Sequence, residues 1–289
     1  MSGRLPPWFK KQVPEPRAMA GMRALVGGLH LHTICESALC PNVGDCFSRG
    51  TATFLLLGDT CTRNCTFCAV KKGVPGPVDE DEPDHVAEAV REMGLRHVVM
   101  TSVTRDDLPD GGARHFARAI GRLRMEDASL TIEVLVPDFA GSAEAVAVVA
   151  DAGADIVNHN LETVPRLYRE VRPKADYLRS VELLRGVKQR SDRTVTKSGL
   201  MVGLGETRDE MLQVMVDLRG VGCDLLTIGQ YLAPSVGHHP VVRFVPPDEF
   251  EEYGRMGREM GFRGVASAPL VRSSFDAARL YAEAVAGQE

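Results

Sequence analysis

The stretch "RGTATFLLLGDTCTRNCTFC", residues 49–68, places an apolar run directly before three cysteines with the spacing C-x3-C-x2-C. The apolar run, residues 53–58, has the composition of a buried β-strand. In parallel α/β folds, ligands bind beyond the carboxyl ends of the strands. The stretch therefore predicts a βα architecture with a thiolate site at the end of its first strand, formed by Cys61, Cys65 and Cys68.

Downstream of this stretch, apolar runs alternate with segments of helical period. The strand candidates are residues 53–58, 97–103, 130–136, 155–160, 196–203 and 224–232. The helix candidates are residues 82–93, 112–125, 142–152, 175–189 and 207–220. Strands that are apolar on both faces and alternate with helices predict a parallel sheet, either an open doubly wound sheet or a barrel.

The length of the alternating run favours a barrel that is incomplete. An eight-stranded barrel takes about 250 residues, whereas the run covers only residues 51–235. We therefore predict an α/β fold, a partial (β/α)6 TIM-like barrel with N- and C-terminal extensions. The N-terminal extension, residues 1–50, is rich in Pro and Gly and carries three cysteines. The C-terminal extension, residues 236–289, contains a candidate for a capped helix in "RFVPPDEFEEYGRMGREMGF".

The composition is that of an ordinary globular protein, with 44% hydrophobic and 25% charged residues in a chain of 289. The net charge of −5 provides no basic face for nucleic acid. The N-terminus has no apolar core of signal-peptide length, and no run approaches the roughly 18 apolar residues of a membrane span. We therefore expect a cytoplasmic protein with no nucleic-acid and no membrane partner.

Six of the seven cysteines fall between Cys35 and Cys68. In a reducing compartment such a set is not expected to form disulfides, which persist mainly in secreted proteins. The seventh, Cys223, stands in "GCDLLTIG" and is most simply a small buried hydrophobic residue. The clustered cysteines are therefore candidate metal ligands.

Three thiolates are one too few for a structural zinc site, which takes four nitrogen or sulfur ligands. A second simple explanation places the three cysteines on one helical face as buried small residues, but "CTRNCTFC" is a weak helix former. An iron–sulfur cubane has four iron corners, each of which takes a ligand such as a Cys thiolate. Three cysteines leave one corner open, and an open iron can bind a substrate.

A C-x3-C-x2-C motif after the first strand of a partial barrel resembles the radical S-adenosylmethionine superfamily. The resemblance implies that the open iron binds the amino and carboxylate groups of S-adenosylmethionine and that electron transfer releases a 5′-deoxyadenosyl radical. It also implies that Phe67, directly before the last cysteine, lies against the adenine. A structural Phe would suit the same position.

Upstream, "CESALCPNVGDC" contains a second set of three cysteines, Cys35, Cys40 and Cys46, with the spacing C-x4-C-x5-C. Zinc is again the simplest alternative, and again no fourth ligand stands nearby in the sequence. Because one cluster is enough to generate the radical, a second cluster must have another task.

The order of the motifs, C-x4-C-x5-C, then C-x3-C-x2-C, then "RSSF", resembles the lipoyl synthase family. The resemblance extends over nearly the whole chain, through the segments "LPPWFK", "TSVTRDDLPDGGA", "NHNLETVPRLY", "KSGLMVGLGET" and "IGQYLAPS". It implies that Ser274 supplies the fourth ligand of an auxiliary [4Fe–4S] cluster, next to Phe275 where most members carry Tyr. The alternative is that Ser273 or Ser274 caps the following helix.

The resemblance also implies the reaction and the partners. Two sulfur atoms would be inserted at carbons six and eight of a protein-bound octanoyl-lysine, with consumption of two S-adenosylmethionine molecules, and the auxiliary cluster would supply the sulfur. The implied carrier is an octanoylated lipoyl carrier domain, of a 2-oxoacid dehydrogenase E2 or of the glycine cleavage H protein. A ferredoxin- or flavodoxin-type electron donor and an iron–sulfur carrier that rebuilds the cluster are the other implied partners.

By the same resemblance, three segments that follow later strands are candidate S-adenosylmethionine contacts. Their candidate residues are Asp106, Asp107, Gly111 and Gly112 in "DDLPDGG", Asn158, Asn160 and Glu162 in "NHNLET", and Gly203 in "GLMVGLGE". The simpler alternatives are a solvated turn, a helix cap by Thr163, and Glu206 as the start of the next helix. We expect solvated or hydrogen-bonded histidines at 159, 238 and 239, because thiolates already account for the iron.

Three alternatives to this assignment, from two classes of protein, stay open from the sequence. Among enzymes, they are a methylthiotransferase or a biotin-synthase-like sulfur inserter, neither of which predicts Ser274 as a ligand. From a different class, the alternative is a non-catalytic two-cluster electron carrier. Such a carrier would need four ligands per cluster and no βα core of this length.

Overall fold

The computed structural model describes residues 5–10 and 16–286, apart from the side chain of residue 18. The described strands, in chain order, are β1 (His32–Thr33), β2 (Thr53–Leu56), β3 (Thr60–Cys61), β4 (Lys71–Lys72), β5 (His97–Ser102), β6 (Thr131–Leu135), β7 (Ile156–Asn158), β8 (Val195–Val202), β9 (Leu225–Gln230) and β10 (Gly264–Ser267). Parts of the two predicted extensions, residues 1–4, 11–15 and 287–289, lie outside the described residues.

Helices cover the outside of the sheet and much of both extensions. The described α-helices are α1 (Pro16–Gly28), α2 (Ile34–Ser37), α3 (Val43–Ser48), α4 (Glu82–Met93), α5 (Ala113–Glu126), α6 (Ala143–Asp151), α7 (Tyr168–Val171), α8 (Tyr177–Arg190), α9 (Arg208–Gly220), α10 (Pro247–Glu259) and α11 (Ala277–Ala286). The five predicted helices are α4, α5, α6, α8 and α9. Among the residues described, no helix has the length and apolar character to cross a membrane.

Six parallel strands, β2 and β5 to β9, form the body of the sheet, and each pairs with the next of these along the chain. A doubly wound sheet would instead reverse its strand order at a switch point. Pairing in chain order, with helices in each crossover, is the arrangement of a barrel. Within the described residues, β1 and β10 end the strand order without pairing with each other, so the barrel is open. The predicted partial barrel is confirmed.

The sheet is wider than predicted, because two of its strands come from outside residues 51–235. Strand β10 pairs in parallel with β9, and β1 pairs antiparallel with β2. Neither strand was predicted: β1 has two residues and β10 has four, too few for an alternation pattern to be recognised. The division of the chain at residues 50 and 235 stays a prediction.

Local signals in the sequence explain where several helices begin and end. Ser142 Oγ accepts a hydrogen bond from Ala145 N at 3.1 Å and caps α6, at the start of the helix predicted over 142–152. Gly94 follows α4 with a φ of 61°, a left-handed conformation that glycine adopts without strain. Helix α10, predicted as a capped helix, begins at Pro247 without a side-chain cap. Proline at this position has no N–H that would need one.

Buried side chains cover the amino ends of several barrel strands. The large core includes Phe54 of β2 and continues between the sheet and the helices. A smaller cluster joins Ile156, Val195 and Leu225, the first residues of β7, β8 and β9, to Leu280 of α11. Helix α11 thus covers the amino ends of these strands. Ligands can therefore bind at the carboxyl ends of the strands, where the predicted site residues lie.

Candidate functional site

A cavity of about 500 Å³ opens at the carboxyl ends of the barrel strands. The predicted site residues that line it are Cys35, Cys40, Cys61, Cys65, Phe67, Cys68, Asn160, Glu162 and Ser274. Apolar side chains, among them Leu55, Leu135 and Met201, complete its walls. Members of both cysteine sets therefore face one cavity whose apolar walls suit an aliphatic chain.

A second cavity, of about 380 Å³, brings the upstream cysteines together with the C-terminal serine. Cys35, Cys40, Cys46 and Ser274 all line it. Cys35, Cys40 and Ser274, together with Arg272, line the first cavity as well. These four residues, which we call the shared wall, separate the two cavities. The four residues implied as auxiliary-cluster ligands thus lie around one space, although their role as ligands stays a prediction.

The loop after β2 presents Cys61 as an acceptor of backbone hydrogen bonds. Its Sγ accepts from Arg63 N at 3.4 Å and from Thr104 N, in the loop after β5, at 3.3 Å. These two contacts orient the sulfur of Cys61 between the loops after β2 and β5. With Cys65 and Cys68 on the same loop, three sulfur donors reach one cavity. This donor set fits a four-iron cluster with one open corner.

Burial raises the pKa of three of the six clustered cysteines. It raises the pKa of Cys68 to about 12 and that of Cys35 to about 11, and it also raises the pKa of Cys65. These thiols therefore stay protonated at neutral pH until iron displaces the proton.

The simple alternatives for the cysteines do not fit the arrangement. Within residues 5–10 and 16–286, no group of three or more His, Cys, Asp or Glu side chains is placed to hold a single metal ion, as zinc would require. The ligands of a cubane do not converge on a single ion, because each thiolate binds its own iron corner. Residues 61–68 form no helix, so a buried helical face does not explain their spacing.

Arg63 fixes the cluster loop to the loops after β5 and β6, and it was not predicted as a site residue. Its guanidinium donates to Asp106 at 2.8 and 2.9 Å and to Asp138 at 2.5 Å. The Arg63 side chain is 6% exposed and that of Asp138 is fully buried. The hydrogen bonds from Arg63 hold the pKa of Asp106 below its usual range. Asp106 is thus already ion-paired with the cluster loop, while Asp107 pairs with Arg105 at 2.8 Å.

Gly111 and Gly112, two of the predicted cosubstrate contacts, line neither cavity. Both have positive φ values, 61° and 92°. A Cβ on Gly111 would lie 3.1 Å from Phe139 Cδ1, and one on Gly112 would overlap Leu57 Cδ1. Turn geometry and close packing therefore explain both glycines, and their contact with the cosubstrate stays a prediction.

Gly203, which also lines neither cavity, is expected to be needed for folding. Its φ is 94°, and a Cβ there would overlap Gln230 Nε2 and lie 2.6 Å from Arg243 O. We expect Gly203→Ala to lower the free energy of unfolding by about 1–3 kcal/mol, measured by urea denaturation of the iron-free protein. Gly237→Ala, in an exposed loop, is the matched control. Wild-type stability with weakened S-adenosylmethionine binding would instead favour the contact.

The turn after Gly203 also shows the role of Glu206, for which the sequence suggested the start of the next helix. Glu206 does not begin the next helix, because α9 begins at Arg208 with Thr207 as its cap. The Glu206 carboxylate instead accepts from Gly203 N at 2.7 Å and Leu204 N at 2.9 Å. It closes the turn that the glycine makes.

The segment after β7 divides between the barrel interior and the cavity. Asn158 is fully buried and lines neither cavity; it donates to Glu133 and Ser273. Asn160 lines the cavity, and its Nδ2 donates to Glu162 Oε1 at 3.1 Å. Glu162 has a φ of 65°, a strained conformation for a residue with a side chain, and burial raises its pKa. The alternative of a cap by Thr163 is wrong, since the turn that follows has Val164 at its N-cap position.

Two further residues, His159 and Arg172, line the cavity. His159 was expected only as a solvated or hydrogen-bonded histidine, and Arg172 was not predicted. His159 Nδ1 donates to Val136 O at 2.8 Å, so Nε2 carries a lone pair, and this buried atom has no hydrogen-bond partner among the described residues. Burial, with the nearby Arg172, lowers the pKa of His159 to about 4, so the ring is neutral at pH 7. The only sequence signal for it was its position at a strand end. His238 and His239 are hydrogen-bonded, as expected.

Neither Ser273 nor Ser274 caps the last helix, because α11 begins only at Ala277. The residues before it form a tight turn, in which Phe275 N donates to Arg272 O at 3.0 Å. This turn presents Ser274 to both cavities. The helix-cap alternative is therefore wrong.

Two contacts tie this C-terminal turn to the upstream cysteine segment. Asn42 Nδ2 donates to Leu270 O at 2.7 Å, across 228 positions of the chain. The Arg49 guanidinium lies 5.3 Å from the centre of the Phe275 ring, within range of a cation–π contact. The space around the upstream cysteines is thus bordered by residues of both predicted extensions.

The fold is similar to that of solved structures at low sequence identity. The structure of HydG, a maturase of the [FeFe]-hydrogenase, superposes with a TM-score of 0.58 at 15% identity and covers 74% of this chain and 51% of its own. That of methylornithine synthase gives 0.51 at 16% identity, covering 66% and 56%. At this identity the likeness concerns the fold alone, a partial TIM barrel.

Sequence comparison is more specific. The family model of the radical SAM superfamily matches residues 55–218. Lipoyl synthase of Caldanaerobacter subterraneus subsp. tengcongensis is 55% identical over 277 residues, 96% of this chain and 97% of its own length. Lipoyl synthase of Nitratidesulfovibrio vulgaris is 55% identical over 278 residues, 96% and 93%. With the cysteine loop, the apolar cavity and the barrel already in place, these matches show that the chain belongs to the lipoyl synthase family of the radical SAM superfamily.

Proposed function

We propose that this chain uses two [4Fe–4S] clusters with different tasks. The loop after β2 holds the cluster that activates S-adenosylmethionine, and the upstream cysteines with the C-terminal serine hold an auxiliary cluster that supplies sulfur. The proposed ligands are Cys61, Cys65 and Cys68 for the first cluster, and Cys35, Cys40, Cys46 and Ser274 for the second. The observation that carries the proposal is the shared wall, because it would place the sulfur donor at the border of the cavity that the other three cysteines line.

Membership of the lipoyl synthase family makes the chain a sulfur-inserting enzyme that uses a [4Fe–4S] cluster and S-adenosylmethionine and acts on an octanoylated carrier protein. The non-catalytic electron carrier and the other sulfur inserters are thereby set aside. The target carbons of an octanoyl chain have no neighbouring group that acidifies their hydrogens, so acid–base catalysis cannot remove them. When bound, the cluster and S-adenosylmethionine supply a radical that can.

The side chains of the cavity offer complementary groups for the cosubstrate and the chain to be modified. Asn160 and Glu162 provide oxygens that accept from hydroxyl or ammonium groups, and His159 Nε2 provides a further acceptor. Phe67 offers an aromatic face for the adenine. The apolar walls receive the octanoyl chain and exclude water, which protects a reactive intermediate from side reactions.

A serine in place of a fourth thiolate makes the auxiliary site easier to open. Its oxygen is a hard donor for iron in a sulfur-rich cluster, so we expect this bond to be weaker than an iron–thiolate bond. Ser274 stands on the C-terminal turn, whereas Cys35 and Cys46 stand on α2 and α3. Release of the serine therefore leaves the cysteine segment intact, which suits a cluster that gives up its sulfur during turnover.

The partners follow from the same proposal. The carrier is an octanoylated lipoyl domain of a 2-oxoacid dehydrogenase E2 or the glycine cleavage H protein. A ferredoxin- or flavodoxin-type protein supplies electrons, and an iron–sulfur carrier rebuilds the auxiliary cluster. The enzyme works in the cytoplasm, with residues 1–50 and 236–289 as extensions of the barrel of residues 51–235.

Isotope labelling tests the source of the sulfur. The protein is reconstituted anaerobically with ³⁴S-sulfide, desalted, and given an octanoyl-lysine peptide, S-adenosylmethionine and reductant in the presence of excess unlabelled sulfide. We expect both sulfurs of the lipoyl product to carry the label, as read by mass spectrometry, because they come from the cluster and not from solution. A product with unlabelled sulfur would contradict the proposal.

A further inference from the structure

Ser273 stands directly before the proposed ligand Ser274, and its hydroxyl is held on two sides. The Oγ atom accepts a hydrogen bond from Asn158 Nδ2 at 2.8 Å and donates one to Asn160 Oδ1 at 2.9 Å. A serine hydroxyl has one hydrogen to donate, so these two contacts define the direction of both the hydrogen and a lone pair. The side chain of Ser273 is therefore fixed on the carboxyl end of β7.

On one side, this contact leads to a buried ion pair inside the barrel. Asn158 Nδ2 also lies 3.2 Å from Glu133 Oε1, which accepts from Lys197 Nζ at 2.8 Å. The side chains of Glu133 and Lys197 are each 1% exposed. An anchor of this kind is rigid, because moving any member would leave a buried polar group without its partner.

On the other side, the contact leads to the first cavity. Asn160 Nδ2 donates to Glu162 Oε1 at 3.1 Å, and both residues line that cavity. Ser273 thus connects the cavity of the Cys61 loop to the turn that carries Ser274.

The backbone around Ser273 is already held close to the sheet. Val271 O passes over Gly229 of β9, where any Cβ would overlap it. Pro269 O accepts from Gln230 N at 3.2 Å. These contacts fix the position of the segment, and the two hydrogen bonds of Ser273 fix its rotation. The rotation decides where the next side chain, that of Ser274, points.

We propose that Ser273 is the positioning residue of the auxiliary site, whose hydroxyl, held between Asn158 and Asn160, sets where Ser274 Oγ meets the cluster. The inference rests on the proposed function, because it takes Ser274 as a ligand. It predicts that the hydroxyl of Ser273 is needed even though Ser273 itself binds no iron.

The test compares Ser273→Thr with Ser273→Val, which have the same shape and differ in the hydroxyl. Both are made in the full chain with Cys61, Cys65 and Cys68 replaced by Ala, so that only the auxiliary cluster contributes iron. After reconstitution with ⁵⁷Fe, Mössbauer spectra report the iron with an oxygen ligand as a doublet distinct from those of the sulfur-ligated irons. We expect Ser273→Thr to keep that doublet and Ser273→Val to lose most of it.

A second measurement follows iron release to a chelator. We expect release from Ser273→Val to be about tenfold faster than from Ser273→Thr, the factor that corresponds to one or two lost hydrogen bonds. Ser267→Ala is the matched control, because it removes one hydrogen bond, from Ser267 Oγ to Phe250 O at 2.7 Å, in the same extension. It should retain the doublet and the slow release.

A measurement on the iron-free protein distinguishes a local change at Ser273 from general misfolding. In the iron-free protein, amide hydrogen exchange of residues 270–276 should be faster in Ser273→Val than in Ser273→Thr, with equal exchange in the barrel strands. Identical spectra and exchange in the two variants would overturn the inference. Persistence of the doublet in Ser274→Ala would instead overturn the ligand assignment of the proposed function, so the two failures are distinguishable.

Discussion

Replacing Cys40 with Ala is expected to reduce lipoyl formation by about 10³-fold or more, while S-adenosylmethionine cleavage persists. Cys40 belongs to the shared wall and lines both cavities, whereas cleavage needs only the cluster of the loop after β2. The variant therefore loses the proposed sulfur donor and keeps the radical source. Mass spectrometry of lipoyl peptide and 5′-deoxyadenosine, from anaerobically reconstituted enzyme, measures the two activities separately.

Two other cysteine variants serve as controls for Cys40→Ala. Cys65→Ala removes a proposed ligand of the first cluster and should abolish both activities. Cys223→Ala should retain both, because Cys223 is fully buried and lines neither cavity. A folded Cys40→Ala protein that cleaves no S-adenosylmethionine would contradict the division of labour between the two cysteine sets.

The largest effect on stability is expected for Lys197→Met. Lys197 Nζ lies 2.8 Å from Glu133 Oε1 inside the barrel, and His97 Nε2 lies 3.6 Å from the other carboxylate oxygen. Removal of Lys197 leaves a buried carboxylate without its cation, which costs about 3–5 kcal/mol. Urea denaturation of the iron-free protein measures this loss. The double variant Lys197→Met with Glu133→Leu should be more stable than the single one, since no buried charge remains.

The Lys197–Glu133 pair also determines how the stability of the protein changes with pH. Burial alone raises the pKa of Glu133, but Lys197 and His97 outweigh it and lower the pKa to about 2. Because the unfolded value is about 4.3, the contribution of Glu133 to stability is complete above that pH and is lost as the pH falls toward the folded value. In Lys197→Met, burial dominates and the folded pKa lies above the unfolded one. Relative to the double variant, which lacks this carboxylate, Lys197→Met should therefore gain stability on acidification from neutral pH, and a loss relative to the double variant would contradict the pairing.

The strands and helices of the barrel could be predicted because their signals are local. The run at 53–58 contains four consecutive large apolar residues, and Ser142 and Gly94 stand at helix ends as capping chemistry requires. The prediction missed β10, since four residues carry no periodicity and its place beside β9 depends on a long-range pairing. Similarly, nothing in the sequence indicates that Arg63 reaches both Asp106 and Asp138.

The predicted contacts with S-adenosylmethionine also depend on long-range structure that a local sequence pattern does not show. A glycine that allows a ligand to approach and a glycine that makes a tight turn have the same sequence pattern, and Gly111, Gly112 and Gly203 have positive φ and lie outside both cavities. His159, expected only as a solvated or hydrogen-bonded histidine, lines the cavity with a buried nitrogen that has no partner within the described part of the chain, whereas Asn158, an expected contact, lines neither cavity.

By itself, the sequence determined the barrel class, the two cysteine sets and, through its resemblance to a family, the reaction. Residue type and spacing within a short loop are enough for these, because cluster ligation and strand burial depend on near neighbours in the chain. Only the tertiary structure decided that Ser274 lies with Cys35, Cys40 and Cys46 around one space, and that Ser273 is anchored to β7. These contacts join residues more than 100 positions apart, and packing of the complete barrel, rather than any local pattern, brings them together.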